Sequence, residues 1–321
     1  YAAQRNFLPK TTFAYQNQSS CNKPTDVVAS YTGGDTAVVT WNGDADSYNI
    51  DVNGTIINGV SSPYTLTDLA GLTTYTVKVQ SDCGGGDVSL WALANSFTTN
   101  AAIPLFEAFS TTSTPYGWSM YTGMLNADGT AKLSSSSSWS FGTGNGLTDN
   151  HAKANVYANN QRWLVLPSLT MQNNVELTFD LALTVWSSSS SASPTVGGPP
   201  DDKFIVLISA NDGETWEVLR QWDNAGSEYV YDAIPNTFQL QSIDLSRFAG
   251  SSVTIAFYGE STESNGDNNI HVDNVSIDYI PACPKPTGLA VANVTNHTAD
   301  LSWNQLGEAS EWEVVYTLEG R

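Results

Sequence analysis

Cys21-Asn22-Lys23-Pro24-Thr25, near the start of the chain, is echoed far downstream by Cys283-Pro284-Lys285-Pro286-Thr287. Each phrase leads, twenty residues after its cysteine, to a tryptophan. The first closes Thr36-Ala37-Val38-Val39-Thr40-Trp41 and the second Thr298-Ala299-Asp300-Leu301-Ser302-Trp303. The match runs without a gap over 21 residues, so one domain type occurs twice. The chain then divides into four stretches: 1–20, 21–100, 101–281 and 282–321. The first, with Phe7, Phe13 and Tyr15, reads as the tail of a preceding element, and the last as a second copy cut short at Arg321.

The first copy carries short alternating runs around Val38, Trp41, Tyr48, Ile50 and Val52, separated by Gly, Asn and Asp turns, the pattern of half-buried strands. Asn53-Gly54 predicts a tight hairpin, because glycine tolerates the positive φ such a turn needs. The stretch Leu72-Thr73-Thr74-Tyr75-Thr76-Val77-Lys78-Val79 resembles the tyrosine-corner strand of a fibronectin type III domain, with Trp41 as its core tryptophan and Ser96-Phe97-Thr98-Thr99 as its last strand. That resemblance implies a spacer-like sandwich. Within it Cys21 opens the first strand and Cys83 follows the tyrosine-corner strand, so a Cys21–Cys83 disulfide is expected; two buried free thiols are the alternative. Cys283 then expects a partner beyond Arg321, and the chain reads as part of a longer, exported protein.

Residues 101–281 are rich in strand patterns, among them Trp163-Leu164-Val165-Leu166, Phe204-Ile205-Val206-Leu207-Ile208 and Val253-Thr254-Ile255-Ala256-Phe257-Tyr258, with no amphipathic helix. Their number and spacing predict a jelly-roll sandwich. The expected fold class is therefore all-β: a fibronectin type III sandwich, a jelly roll, then a truncated second fibronectin type III sandwich. Four motifs in order resemble the cleaved-adhesin, or choice-of-anchor J, domains related to MAM domains. They are Phe106-Glu107-Ala108-Phe109 with Tyr116-Gly117-Trp118, then Trp163-Leu164-Val165-Leu166-Pro167. Next come Ser209-Ala210-Asn211-Asp212-Gly213-Glu214-Thr215-Trp216 and His271-Val272-Asp273-Asn274-Val275-Ser276-Ile277. Such domains, flanked by fibronectin-like repeats, are typical of proteins exported to the surface of Bacteroidota, including the adhesin regions of gingipain-like proteases.

The resemblance also implies a structural Ca²⁺ tying the first strand of the jelly roll to the last, through Glu107 and Asp273, with Asp128 in the loop Asn126-Ala127-Asp128-Gly129 contributing. A hard cation taking about six to eight oxygens suits such carboxylates. Strand-end carboxylates making only local hydrogen bonds are the alternative. The Asp212–Trp216 turn resembles the Asp-box of sialidases, and is expected to be a structural hairpin rather than a catalytic site. Trp139, Trp186 and Trp222, beside serine runs or in loop-rich stretches, are candidates for stacking a pyranose ring; Trp118, Trp163 and Trp216 are expected in the core.

Composition narrows the function further. The 321 residues carry 12 Lys and Arg against 32 Asp and Glu, a formal charge of −20 on a chain only 14% charged. With so few Lys and Arg, a basic face for nucleic acid or an anionic membrane is not expected. Nothing approaches the roughly 18 apolar residues of a membrane span. His151, His271 and His297 sit at no metal-ligand spacing, and neither a Gly-x-Ser-x-Gly elbow nor His-Glu-x-x-His occurs. Carboxylate pairs such as Asp201-Asp202, or Glu260 with Glu263, carry no information until their separation is known. The reading is a non-catalytic, secreted or cell-surface adhesion region whose partners are host or matrix proteins, glycans and other domains of the same polypeptide. An accessory carbohydrate-binding region of a secreted enzyme and a stalk or filament unit are the alternatives.

Overall fold

The computed structural model describes residues 21–192, 201–281, 283, 286–305 and 309–315. The expectation for residues 1–20 lies outside the described residues. The chain divides into two compact units, 1–102 and 103–321. Among the described residues both are built from strands, with two short 3₁₀ turns at Tyr231–Ala233 and Ser246–Phe248. No helix among them is long and apolar enough to cross a membrane.

In the first unit Asn53 and Gly54 both take positive φ, 49° and 90°, and join Ser47–Val52 to Thr55–Val60 as an antiparallel hairpin. That hairpin belongs to a four-stranded sheet continuing through Val77–Asp82 and Ala92–Leu93. A three-stranded sheet of Thr25–Gly33, Thr36–Asn42 and Tyr64–Leu66 completes the unit's main layers. Val39, Trp41, Ile50, Leu66, Val77 and Val79 are buried together, and Trp41 meets Tyr48 edge-on at 5.2 Å. Alternation along Val77–Asp82 is strict, which is why one face can be apolar. Cys21 and Cys83 are joined by a disulfide that closes a stretch 62 residues apart in sequence.

The second copy of the repeat pairs in the same register as the first. Thr287–Ala292 faces Asp300–Asn304 with Val291 opposite Leu301, just as Ala29 faces Val39, and each hairpin is bulged at the corresponding place. Trp303 packs edge-on against Trp312 at 5.5 Å. Cys283 is a free, exposed thiol.

Most of the second unit is a two-sheet sandwich. One sheet has six strands: Ser140–Gly144, Leu147–Val156, Asn268–Tyr279, Val175–Val185 and Gln239–Asp244 in that order, with Leu105–Glu107 also pairing with Asn268–Tyr279. The other has eight. Ser134–Ser135, Ser119–Thr122, Asn160–Val165, Ser252–Ser261, Lys203–Ser209, Glu217–Asp223 and Tyr229–Val230 follow in order, and Leu169–Thr170 joins Ser252–Ser261. Hairpin neighbours such as Ser140–Gly144 with Leu147–Val156 alternate with pairs far apart in sequence, such as Leu147–Val156 with Asn268–Tyr279 and Asn160–Val165 with Ser252–Ser261, and among the described residues of these sheets only Glu217–Asp223 with Tyr229–Val230 is parallel. Between the sheets Phe179 lies 5.0 Å from Phe257, which stacks on Phe204 at 6.0 Å. The strand Val175–Val185 alternates buried and half-buried residues until Leu181, then buries four in succession where both its faces are covered.

Candidate functional site

The eight-stranded sheet also buries residues on its outer face. Trp163, Ile205, Leu207, Trp216, Ala256 and Tyr258 form a second apolar cluster there, covered by Leu125, Ala131 and Leu133 from the loop that follows Ser119–Thr122. Backbone and side-chain bonds hold that loop down. The Trp163 indole donates to the Gly123 carbonyl at 2.6 Å, the Leu125 N–H to the Tyr258 hydroxyl at 3.3 Å, and the Trp216 N–H to the Gly129 carbonyl at 2.8 Å. Gly129 has φ +82°, and a Cβ there would stand 2.6 Å from the Trp216 carbonyl, so only glycine allows the loop this close.

Between the loop and the turn Ser209–Trp216 lies a cleft of about 830 Å³. Its floor is Ile205, Trp216 and Tyr258, with Lys203, Gln221 and Glu260 among the polar groups. Lys203 and Glu260 are opposite one another across neighbouring strands, and their side chains pair at 2.7 Å. The second oxygen of Glu260 accepts the Tyr258 hydroxyl in a short hydrogen bond. Burial, then the Glu260 carboxylate, push the Tyr258 phenol above its ordinary range. Both Glu260 oxygens are therefore engaged, one by Lys203 and one by Tyr258.

The Asp-box-like turn is structural here. Ser209 Oγ accepts the Gly213 N–H at 2.9 Å, and Asn211 exchanges bonds with Thr215 at 3.1 and 2.9 Å. Asp212 and Gly213 supply left-handed backbone, φ 56° and 84°, and Trp216 packs against Trp163 at 5.3 Å. The hydrogen bonds across the turn run to Ser209 and Asn211, not to the aspartate.

Asp128 belongs to this cleft and not with Glu107 and Asp273, which correct the grouping drawn from the sequence. Its carboxylate accepts Thr130 N–H at 3.0 Å and Thr130 Oγ1 at 2.7 Å, bonds that lower its pKa. Glu107 and Asp273 sit on the six-stranded sheet, where Glu107 faces Val275 and Asp273 faces Asp180. Asp273 is buried, and burial pushes its pKa up to about 6, reinforced by Asp180, Asp149 and Glu107. Both carboxylates also make local bonds: Glu107 accepts the Phe109 N–H at 2.6 Å, and Asp273 accepts the Asn274 N–H at 2.8 Å. Among the described residues no three His, Cys, Asp or Glu side chains converge at metal-ligand spacing.

The aromatic candidates separate. Trp139 and Trp222 are 4% and 5% exposed, so neither presents a flat face to a ligand. Trp222 is enclosed by Phe204 and Tyr229, each 5.4 Å away, because its strand turns it into the space between the sheets. Trp186 is 56% exposed, and its backbone is pinned: its N–H donates to the Asp267 carbonyl at 2.8 Å and its carbonyl accepts from Asn269 at 2.7 Å.

One constellation has no trace in sequence spacing. His151 and His271, 120 residues apart, meet in the core. His151 Nδ1 can only donate to the Asp149 carbonyl (2.8 Å), which leaves its Nε2 to accept from His271 Nδ1 (2.8 Å). His271 Nε2 then accepts the Thr184 hydroxyl at 2.9 Å. Both imidazoles are neutral, their pKa values lowered chiefly by burial, that of His271 to about 3.

No protein-family model matches the chain, and no curated protein sequence matches it. Solved structures do resemble it. The K1 cleaved adhesin domain of Lys-gingipain from Porphyromonas gingivalis is 19% identical over 56% of this chain and 99% of that one, with a TM-score of 0.36. The K3 domain of the same protein is 17% identical over 54% and 96%, TM-score 0.33. A carbohydrate-binding module in complex with β-1,4-galactotriose is 8% identical over 54% and 94%, TM-score 0.34.

Proposed function

We propose that this chain is a non-catalytic binding region of a larger extracellular protein, and that the cleft on the outer face of the eight-stranded sheet holds a saccharide. The Lys203–Glu260 pair carries the reading. An ion pair with one partner only 5% exposed, set into an apolar floor, gains little for stability and is well suited to orient a ligand. Sugar rings present apolar C–H faces and hydroxyl edges, which match the accessible apolar lining of Leu125, Val218 and Phe248 and the Lys203, Glu260 and Gln221 polar groups. A glycan array followed by titration of each hit tests this. Binding is expected to weaken at least about tenfold in Glu260→Gln and Lys203→Met. Hits that bind both variants unchanged, or a chain that captures matrix proteins and no glycan, would overturn it.

Calcium joins the proposal as a structural ion at Glu107 and Asp273, supported by the crowding of Asp149 and Asp180 around the buried Asp273 carboxylate. Ca²⁺ is expected to raise the melting temperature and EGTA to reverse it; identical melts in both would remove this ion from the reading.

A further inference from the structure

The covering loop meets the turn 209–216 where the Trp216 N–H reaches the Gly129 carbonyl, and the outer face of the eight-stranded sheet opens on either side of that contact. One opening is the cleft of Lys203 and Glu260. The other is a groove of about 470 Å³, and Trp216 borders both. Accessible in the groove are Tyr121 and Leu133, the hydroxyls of Ser119, Ser168 and Thr254, and the Asp212 carboxylate. No Lys or Arg lines it. Glu260 in the cleft and Thr254 in the groove share the strand Ser252–Ser261, and the rise of an extended chain places them about 20 Å apart.

Two polar groups of the groove lack partners. The turn 209–216 is closed by Ser209 and Asn211, and the exposed Asp212 carboxylate has no hydrogen bond or ion pair among the described residues. Trp216 is 6% exposed, and its indole N–H is buried with no acceptor. The edge of the ring that carries this nitrogen lies against Gly213, where a Cβ would stand 3.6 Å from Trp216 Cζ2. A buried donor left unpaired is costly, and a ligand oxygen seated beside Gly213 would satisfy it.

We propose that this groove is a second saccharide subsite, and that the ligand is an uncharged glycan chain lying along the sheet from the Lys203–Glu260 cleft to Asp212. The inference rests on the reading of that cleft as a saccharide site. A carboxylate accepts two neighbouring sugar hydroxyls, one on each oxygen, while Tyr121 and Leu133 offer apolar surface to a ring face. Ser168 and Thr254 share a hydrogen bond at 3.0 Å, which orients both hydroxyls and leaves each further capacity to accept. With no basic side chain in the groove and a chain charge of −20, uronic and sulfated sugars are repelled. A single ring fills one opening; only a chain of linked rings reaches both.

The test is calorimetric titration of the full chain with size ladders of β-1,4-linked glucose, mannose and galactose, each from the monosaccharide upward. Affinity should rise at least about tenfold between the shortest member that binds and the members that span both openings. Asp212→Gly removes the carboxylate and keeps the left-handed backbone, φ 56°, that glycine adopts freely. It should weaken the long chains about tenfold and leave the short ones unchanged, and Tyr121→Ala should do the same, with circular dichroism confirming the fold of each. Lys203→Met should instead weaken every length. Binding that does not depend on length, or long chains that bind folded Asp212→Gly and Tyr121→Ala as they bind wild type, would overturn the subsite and leave the cleft reading standing. Ladders of which no member binds would remove the two together.

Discussion

Removing the Cys21–Cys83 bond, by Cys21→Ser with Cys83→Ser or by reductant, should unfold the first unit far more easily. A cross-link between residues 62 apart removes chain entropy from the unfolded state. The loop-closure relation gives about 4 kcal/mol at 25 °C for that length, an upper figure because the unfolded chain retains some structure. For a unit of this size, that corresponds to a fall of about 15 °C or more in melting temperature. The folded sandwich should survive at low temperature, since Val39, Trp41, Ile50 and Val79 still bury its centre. Urea unfolding followed by circular dichroism on residues 21–102 and on the full chain measures the loss. Intact mass, with alkylation before and after reduction, reports the bond itself. Two thiols at residues 21 and 83 that alkylate before reduction would refute the reasoning, and so would a melting temperature unmoved by reductant.

Acid should act through the histidine pair. His271 has a folded pKa of about 3 against 6.5 unfolded, so its contribution is complete above pH 6.5 and declines as pH falls towards 3. At pH 5 the loss is about 2 kcal/mol, read as the difference in pH dependence between wild type and His271→Gln in EGTA; equal profiles would exclude it. Trp222→Ala should cost about 3–5 kcal/mol because it empties a site among Phe179, Phe204 and Tyr229, whereas Trp186→Ala should stay within about 0.5 kcal/mol. Equal urea midpoints for these two variants would contradict their placement.

Much of the fold is legible in local sequence because its signals are local. The repeat, the Asn53-Gly54 turn and the period-two runs of Val77–Asp82 or Val175–Val185 depend on neighbours within a few residues. The same locality explains the errors. Serine runs beside Trp139, and polar loop residues near Trp222, resemble exposed surroundings. Only the pairing of distant strands decides which face of a strand is covered. Resemblance places Asp128 beside Glu107 and Asp273, yet its loop folds onto the other sheet.

Composition and pattern by themselves determine that this chain is acidic, strand-built and repeated, because charge count and side-chain alternation need no third dimension. Tertiary structure alone decides the chemistry of the sites. Lys203 meets Glu260 only through the register of two strands, and His151 meets His271 across 120 residues. Asp202 accepts from Asn268, 66 residues further on, only because separate segments are buried against each other. An isolated residue has its ordinary pKa and its water; burial beside chosen partners removes both, and that choice is made by the packing of the sheets.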